Sequence, residues 1–132
     1  VTARPDDAFA WFNLGTSLTA LAAAGDAALY ETAAAAFDQA RLLGLPPRML
    51  WYQFAPYEAY LAVERNDDVL ALAEATLASQ GGRSVEETWL YQGYALRAKG
   101  DEAGAREAFA RAVDLNPTSP VGRAATAALG GS

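Results

Sequence analysis

Residues 88–112 read TWLYQGYALRAKGDEAGAREAFARA, and two spacings inside them decide the fold. Trp89-x-x-Gln92-Gly93-x-x-Leu96 places large residues three or four positions either side of a glycine, and Ala105-x-x-x-Phe109-x-x-Ala112 places an aromatic between two alanines. Side chains three and four apart share one face of a helix. A glycine on that face lets a neighbouring helix backbone come close, and the large residues around it fill the remaining gap. Between the two patterns stands Gly100-Asp101. Glycine tolerates the left-handed conformation that ends a helix, and Asp is a good N-cap for the next one. The stretch therefore predicts a helix hairpin with a close joint.

Working outward, the pattern returns. Trp11-x-x-Leu14-Gly15-x-x-Leu18 repeats the first spacing and Ala33-x-x-x-Phe37-x-x-Ala40 the second. Val69, Ala73 and Thr76 form a degenerate middle copy, so positions 33, 69 and 105 recur at a constant interval of 36 residues. Self-similarity at that period marks a repeat protein. Gly25-Asp26 and Asn66-Asp67 are the turns that correspond to Gly100-Asp101, with Asn66 expected in the left-handed position of the middle copy. Gly44-Leu45-Pro46-Pro47, Gln80-Gly81-Gly82 and Asn116-Pro117-Thr118-Ser119-Pro120 separate the units. Ser84 with Glu87 has the form of a capping box, and Ser119-Pro120 opens a last short helix that Gly130 stops. Seven helices follow, over 6–24, 27–43, 47–64, 67–79, 84–99, 101–114 and 119–129. They group as one domain of three repeats, 6–46, 47–83 and 84–117, with a terminal helix at 118–130.

Composition narrows the chemistry. The 132 residues carry 16 acidic and 10 basic side chains, are 52% hydrophobic and 20% charged, and are about a quarter alanine. That is a folded, helix-prone chain, since disordered segments combine low hydrophobicity with high charge. Cysteine and histidine are both absent, which removes disulfides, thiolate and imidazole metal ligands, cysteine nucleophiles and the commonest general base. A net charge of −6 argues against a surface that tracks phosphates, so no nucleic-acid partner is expected. Residues 8–25 carry no charge, but Asn13, Thr16, Ser17 and Thr19 interrupt the run, and a helix packed on protein is expected instead of a membrane span. The sequence starts at Val1 without Met and ends Gly130-Gly131-Ser132, the form of a processed or trimmed chain. Together with the missing cysteines, that favours an exported location over a cytoplasmic one.

The residues quoted above resemble the tetratricopeptide repeat family, through Trp, Leu-Gly, Ala, Phe, Ala and Pro117. The third repeat carries the resemblance most fully and the second least, because Pro56 interrupts its helix and Tyr57 stands in the place of glycine. About six extra residues between Leu18 and Tyr30 lengthen the first hairpin. The resemblance implies an all-α, right-handed α-α superhelix that acts as a protein-interaction scaffold without catalysis. Met49-Leu50-Trp51-Tyr52-Gln53-Phe54 is also similar to repeats that lie beside cysteine-peptidase domains in some bacterial proteins, although no peptidase residue is present.

In such a superhelix the first helix of each pair lines the concave face. Here that stripe reads Phe9, Phe12, Thr16 and Thr19, then Trp51, Phe54, Glu58 and Leu61, then Glu87, Leu90, Tyr94 and Arg97. Phe9, Phe12, Trp51, Phe54, Glu58, Leu90, Tyr94 and Arg97 are the candidate partner-binding residues, suited to an apolar peptide or helix. Family members that grip terminal carboxylates use Lys, Arg and Asn on this face; with Arg97 as the stripe's one base and Asn13 the one nearby Asn, no such clamp is expected. Glu58 and Glu64 lie among Trp51, Tyr52, Tyr57 and Tyr60, a mixture reminiscent of sugar cleavage. Six positions apart on a helix puts them on different faces, and no catalytic residue, metal or cofactor is expected. The pairs Asp6-Asp7, Asp67-Asp68, Glu86-Glu87 and Asp101-Glu102 fall in first turns, where negative charge complements the helix dipole, and they lack the spaced ladder calcium requires. Pro117 spoils the glycosylation acceptor at Asn116-Pro117-Thr118; Thr118 and Ser119 remain sites for O-linked sugars, with N-capping the expected duty of Ser119.

The two terminal helices lack the polar cover that soluble solenoids place at their ends. The first is uncharged from Ala8 to Gly25, and the last carries Arg123 alone. A flanking domain, a different protein or another copy of this chain would cover them, and the working expectation is another copy. Trp11, Leu18 and Leu21 on the first helix and Val121, Ala125, Ala128 and Leu129 on the last are then the self-association residues. Contacts of that head-to-tail kind close into rings or run on as filaments or tubes. The alternative is a monomeric adaptor that uses the aromatic stripe.

Overall fold

The computed structural model describes residues 7–46, 49–50, 53–79 and 84–130. They hold α1 (Ala8–Ala23), α2 (Leu29–Leu42), α3 (Ala55–Ala62), α4 (Asn66–Ala78), α5 (Glu86–Ala98), α6 (Glu102–Leu115) and α7 (Pro120–Ala128), with no strand among them. The chain is all-α, as the spacings predict. It divides between Arg65 and Asn66 into two compact units, a boundary that falls inside the repeat expected over 47–83.

Unit 1 holds α1, α2 and α3. Asp7 caps α1, its Oδ1 accepting from Phe9 N at 3.0 Å and Ala10 N at 3.1 Å. Gly15 is buried in the joint with α2: a Cβ there would lie 2.6 Å from Cε1 of Phe37. Phe37 is fully buried, meets Phe12 edge-on at 5.4 Å and reaches Tyr60 of α3 at 6.4 Å. Ala33, Ala34, Ala36 and Ala40 form the rest of α2's inner face, small enough to keep the helices close. The N-cap of α2 is Ala28 and not Asp26, because the turn closes early: Leu29 N donates to the Asp26 carbonyl, so Asp26 serves through its backbone. The helix expected from 47 is also corrected. Met49 and Leu50 make a short 3₁₀ turn, and α3 begins only at Ala55, where Pro56 occupies the first turn. Proline has no N–H to give to an earlier carbonyl and disfavours helix in the residue before it, so a continuous helix through 56 is blocked.

Unit 2 holds α4 to α7. Val69, Ala73 and Thr76, the degenerate middle copy, are buried on α4, and Thr76 donates its hydroxyl to the Leu72 carbonyl at 2.9 Å. The joint of unit 1 recurs between α5 and α6, where a Cβ on Gly93 would stand 2.5 Å from Cε1 of Phe109. Phe109 meets Tyr94 edge-on at 5.4 Å and clusters with Leu90, Ala105, Ala112 and Ala125. Burying each such phenylalanine contributes about 2 kcal/mol. Asp101 caps α6 by accepting from Gly104 N at 2.9 Å, and Ser119 caps α7 by accepting from Gly122 N at 3.0 Å. The capping box at Ser84 and Glu87 does not form. Val85 is the N-cap of α5, with no side-chain bond, because the helix starts one residue later than the box requires. Gly122 sits against the preceding turn so closely that a Cβ would fall 1.9 Å from the Asn116 carbonyl oxygen.

The hairpin stops hold one surprise. Gly25 N donates to Ala22 O and Asp26 N to Leu21 O; Gly100 N donates to Arg97 O and Asp101 N to Leu96 O. After α3 the same pair runs from Glu64 N to Leu61 O and Arg65 N to Tyr60 O, with Glu64 at φ 62°. Glutamate, not the expected Asn66, takes the left-handed position; Asn66 is already the first residue of α4. A side chain there costs energy that glycine avoids.

Candidate functional site

The first-helix stripe is only partly a surface. In unit 1, Phe9 is 51% exposed, but Phe12 is fully buried against Phe37 and Thr19 is buried with its hydroxyl donating to the Gly15 carbonyl at 2.8 Å. Those two are corrected from groove to core. A ring at 12 is needed there, because Gly15 leaves Phe37 room that only a large neighbour fills. Phe54 is half-buried at the N-cap of α3, Glu58 is exposed on α3, and Trp51 lies outside the described residues. Glu64 stands past the end of α3, off the helix that carries Glu58.

In unit 2, Leu90 is 6% exposed and belongs to the core cluster, a second correction. What α5 presents instead is Glu87, Tyr91 and Tyr94, all half-buried and spaced four and three apart on one helix face. The two tyrosine rings meet edge-on at 6.5 Å. Tyr91 escaped the spacing argument because it lies one position beyond Leu90, although its distance of three from Tyr94 was the signal. Arg97 does not stand ready for a ligand. Its Nε and Nη2 donate to the two Glu102 carboxylate oxygens at 2.9 and 2.7 Å, and its guanidinium lies 4.9 Å from the Phe109 ring centre. The hydrogen bonds from Arg97 hold the Glu102 carboxyl below the usual value, and those same bonds raise Arg97. With its charge neutralised at that fork, the exposed character of this face is aromatic and acidic.

The terminal helices differ from each other. On α1, Leu21 is 57% exposed, while Trp11 and Leu18 are half-buried, the indole N–H of Trp11 lying buried without a partner. On α7, Ala125 is fully buried, and Val121, Ala128 and Leu129 pack against the cluster built on Phe109. Ala125 is therefore corrected from association surface to core, while Val121, Ala128 and Leu129 pack on the cluster and stay partly open to solvent. Arg106 of α6 donates to the Leu129 carbonyl at 3.2 Å and closes its end.

Among the described residues no group of three or more acidic side chains is placed to hold a metal ion, and no helix is long and apolar enough to cross a membrane. The sole lysine, Lys99, pairs with Asp67 and ties α5 to α4. Ser119 spends its hydroxyl on the α7 cap and on bonds to Glu86 and the Asn116 carbonyl.

No curated protein and no solved structure matches the chain. Residues 86–119, which hold α5, α6 and the turn leading to α7, match the family model described as Tetratricopeptide repeat. Repeats of that family generally mediate protein–protein interaction and serve as scaffolds. Residues 86–119 thus carry a tetratricopeptide repeat, and among the described residues the α1–α2 hairpin, built on the same glycine–phenylalanine joint, supports a tetratricopeptide-type helical repeat architecture.

Proposed function

We propose that the chain is a protein-binding module whose contact face in unit 2 is the α5 surface formed by Glu87, Tyr91 and Tyr94. The observation that carries this reading is the edge-on tyrosine pair, half-open to solvent within the matched repeat. Tyrosine offers a large apolar body with a polar tip and few rotatable bonds, which suits a binding surface. Glu87, one turn before Tyr91, adds a negative charge that Arg97 does not cancel, because Arg97 is held by Glu102. The partner that fits is a protein segment with apolar side chains beside lysine or arginine. Panning a short-peptide display library on the intact chain tests it. Enriched peptides should pair basic with apolar residues, Glu87→Arg should remove the basic preference, and Tyr91→Ala should weaken binding about tenfold or more with helical circular dichroism unchanged. No enrichment, or enrichment indifferent to Glu87→Arg, defeats the reading.

Self-association is the second reading, supported by Phe9 and Leu21 exposed on the uncharged α1. Because α7 buries Ala125 and packs Val121, Ala128 and Leu129 partly on its own unit, this reading rests chiefly on α1. Light scattering on the eluting chain at high micromolar concentration separates the two: a mass of one chain removes self-association.

A further inference from the structure

We propose that Asp38, Tyr60 and Arg65 form an acid-released latch that holds the last turn of α3 on α2, with Arg41 as its second cation. Asp38 lies on the exposed edge of α2's inner face, one residue after Phe37. Arg65 reaches it from the turn after α3 with a two-pronged bond, Nη1 to Oδ2 at 2.8 Å and Nη2 to Oδ1 at 2.9 Å. Tyr60, fully buried, donates its hydroxyl to Oδ1 at 2.7 Å and receives Arg41 Nη1 at 3.3 Å. Both guanidinium groups also lie near the Tyr60 ring, Arg65 at 4.8 Å and Arg41 at 5.6 Å from its centre. Two-pronged bonds between guanidinium and carboxylate are the strong class of charged hydrogen bond.

The backbone places Arg65 for this. Glu64 in the left-handed conformation turns the chain back, and Arg65 N bonds the Tyr60 carbonyl. A helix as short as α3, eight residues, is marginal without such anchoring. The latch is thus the contact that repays the strained Glu64. Burial opposes the charge on Asp38, but the bonds from Arg65 and Tyr60 and the charges of Arg65 and Arg41 outweigh it and hold the carboxyl below its usual value. Burial pushes the Tyr60 phenol up, so it stays protonated and remains a donor. A carboxyl lowered by folding stabilises fully above the ordinary carboxylate range, and the stabilisation is lost as pH falls through the folded value. From the packed elements, α1 brings no titratable side chain between Ala8 and Ala23; α2 brings Arg41, with Tyr30 and Glu31 two turns earlier; α3 and its turn bring Tyr57, Glu58, Tyr60, Glu64 and Arg65.

Amide hydrogen exchange on the full chain, read as protection factors so that the intrinsic pH dependence cancels, tests the latch. Wild-type protection at Glu64 and Arg65 should fall about tenfold between pH 6.5 and pH 2, a window that runs below the ordinary carboxylate range because the folded carboxyl is lowered, and the size expected for a charged hydrogen bond. Asp38→Asn should show the low protection at both pH values, with the amides of α1 unchanged. Wild-type protection in that variant, a surviving pH step, or a loss spread evenly over the unit would overturn the latch. Should Asp38→Asn fail to fold, Tyr60→Phe keeps the ring and removes one donor, and an unaltered pH step in it overturns the proposal equally.

Discussion

In unit 1, Phe37 lies against Gly15, edge-on to Phe12, with Tyr60 of α3 beyond it; in unit 2, Phe109 lies against Gly93, edge-on to Tyr94, with Ala125 of α7 in its cluster. The joint is the same to within a tenth of an ångström in its closest approach, yet the helix laid over it differs in kind. Over Phe37 comes a large aromatic tied down by charge; over Phe109 comes the small Ala125, with Val121, Ala128 and Leu129 packed around the cluster. A repeat therefore conserves the contact between its two helices and leaves the third helix free to be chosen by size. Where the third helix brings a large side chain, an ionic anchor accompanies it. Where it brings a small one, neighbouring apolar side chains complete the packing.

The strongest test removes the shared element. Phe37→Ala and Phe109→Ala should each cost about 4 kcal/mol, the cost of an unfilled aromatic cavity, with lost amide protection centred on the mutated unit in each case. Equal loss in both units from either change would break the comparison. Next comes the element that is not shared. Gly122→Ala should cost about 3 kcal/mol, because its Cβ meets a main-chain oxygen that no rotamer change can move, and denaturant titration should show it. A neutral Gly122→Ala would mean that the close approach to the Asn116 carbonyl does not fix how α7 leaves its turn. The smallest effect sharpens the turns: Glu64→Gly should stabilise by about 0.5 kcal/mol in thermal unfolding, bringing the α3 stop into line with those at Gly25 and Gly100.

Seven helices, the Gly15 and Gly93 joints and the caps at Asp101 and Ser119 were legible in the sequence because each depends on residues three or four apart. The stripe was half legible. Its period found the correct face of α5 but could not say that Leu90 turns in while Tyr91 turns partly out, a matter of where α6 and α7 lie. Lack of charge on α7 suggests a face wanting a partner, but it cannot tell that Ala125 turns fully into the core of its own unit. The Asp38–Tyr60–Arg65 cluster left no local sign, since its members are separated by 22 and 27 residues. Residue preference points to Asn66 for the left-handed position, whereas the length of α3 places it at Glu64.

The glycine–phenylalanine joint also constrains how this chain can drift. A ring lying on bare backbone makes the two positions a single heritable character: enlarging residue 15 alone collides with Phe37, and shrinking residue 37 alone opens a void. Each path to another pairing crosses a less stable intermediate, so lineages starting from this sequence are expected to keep or lose both partners together.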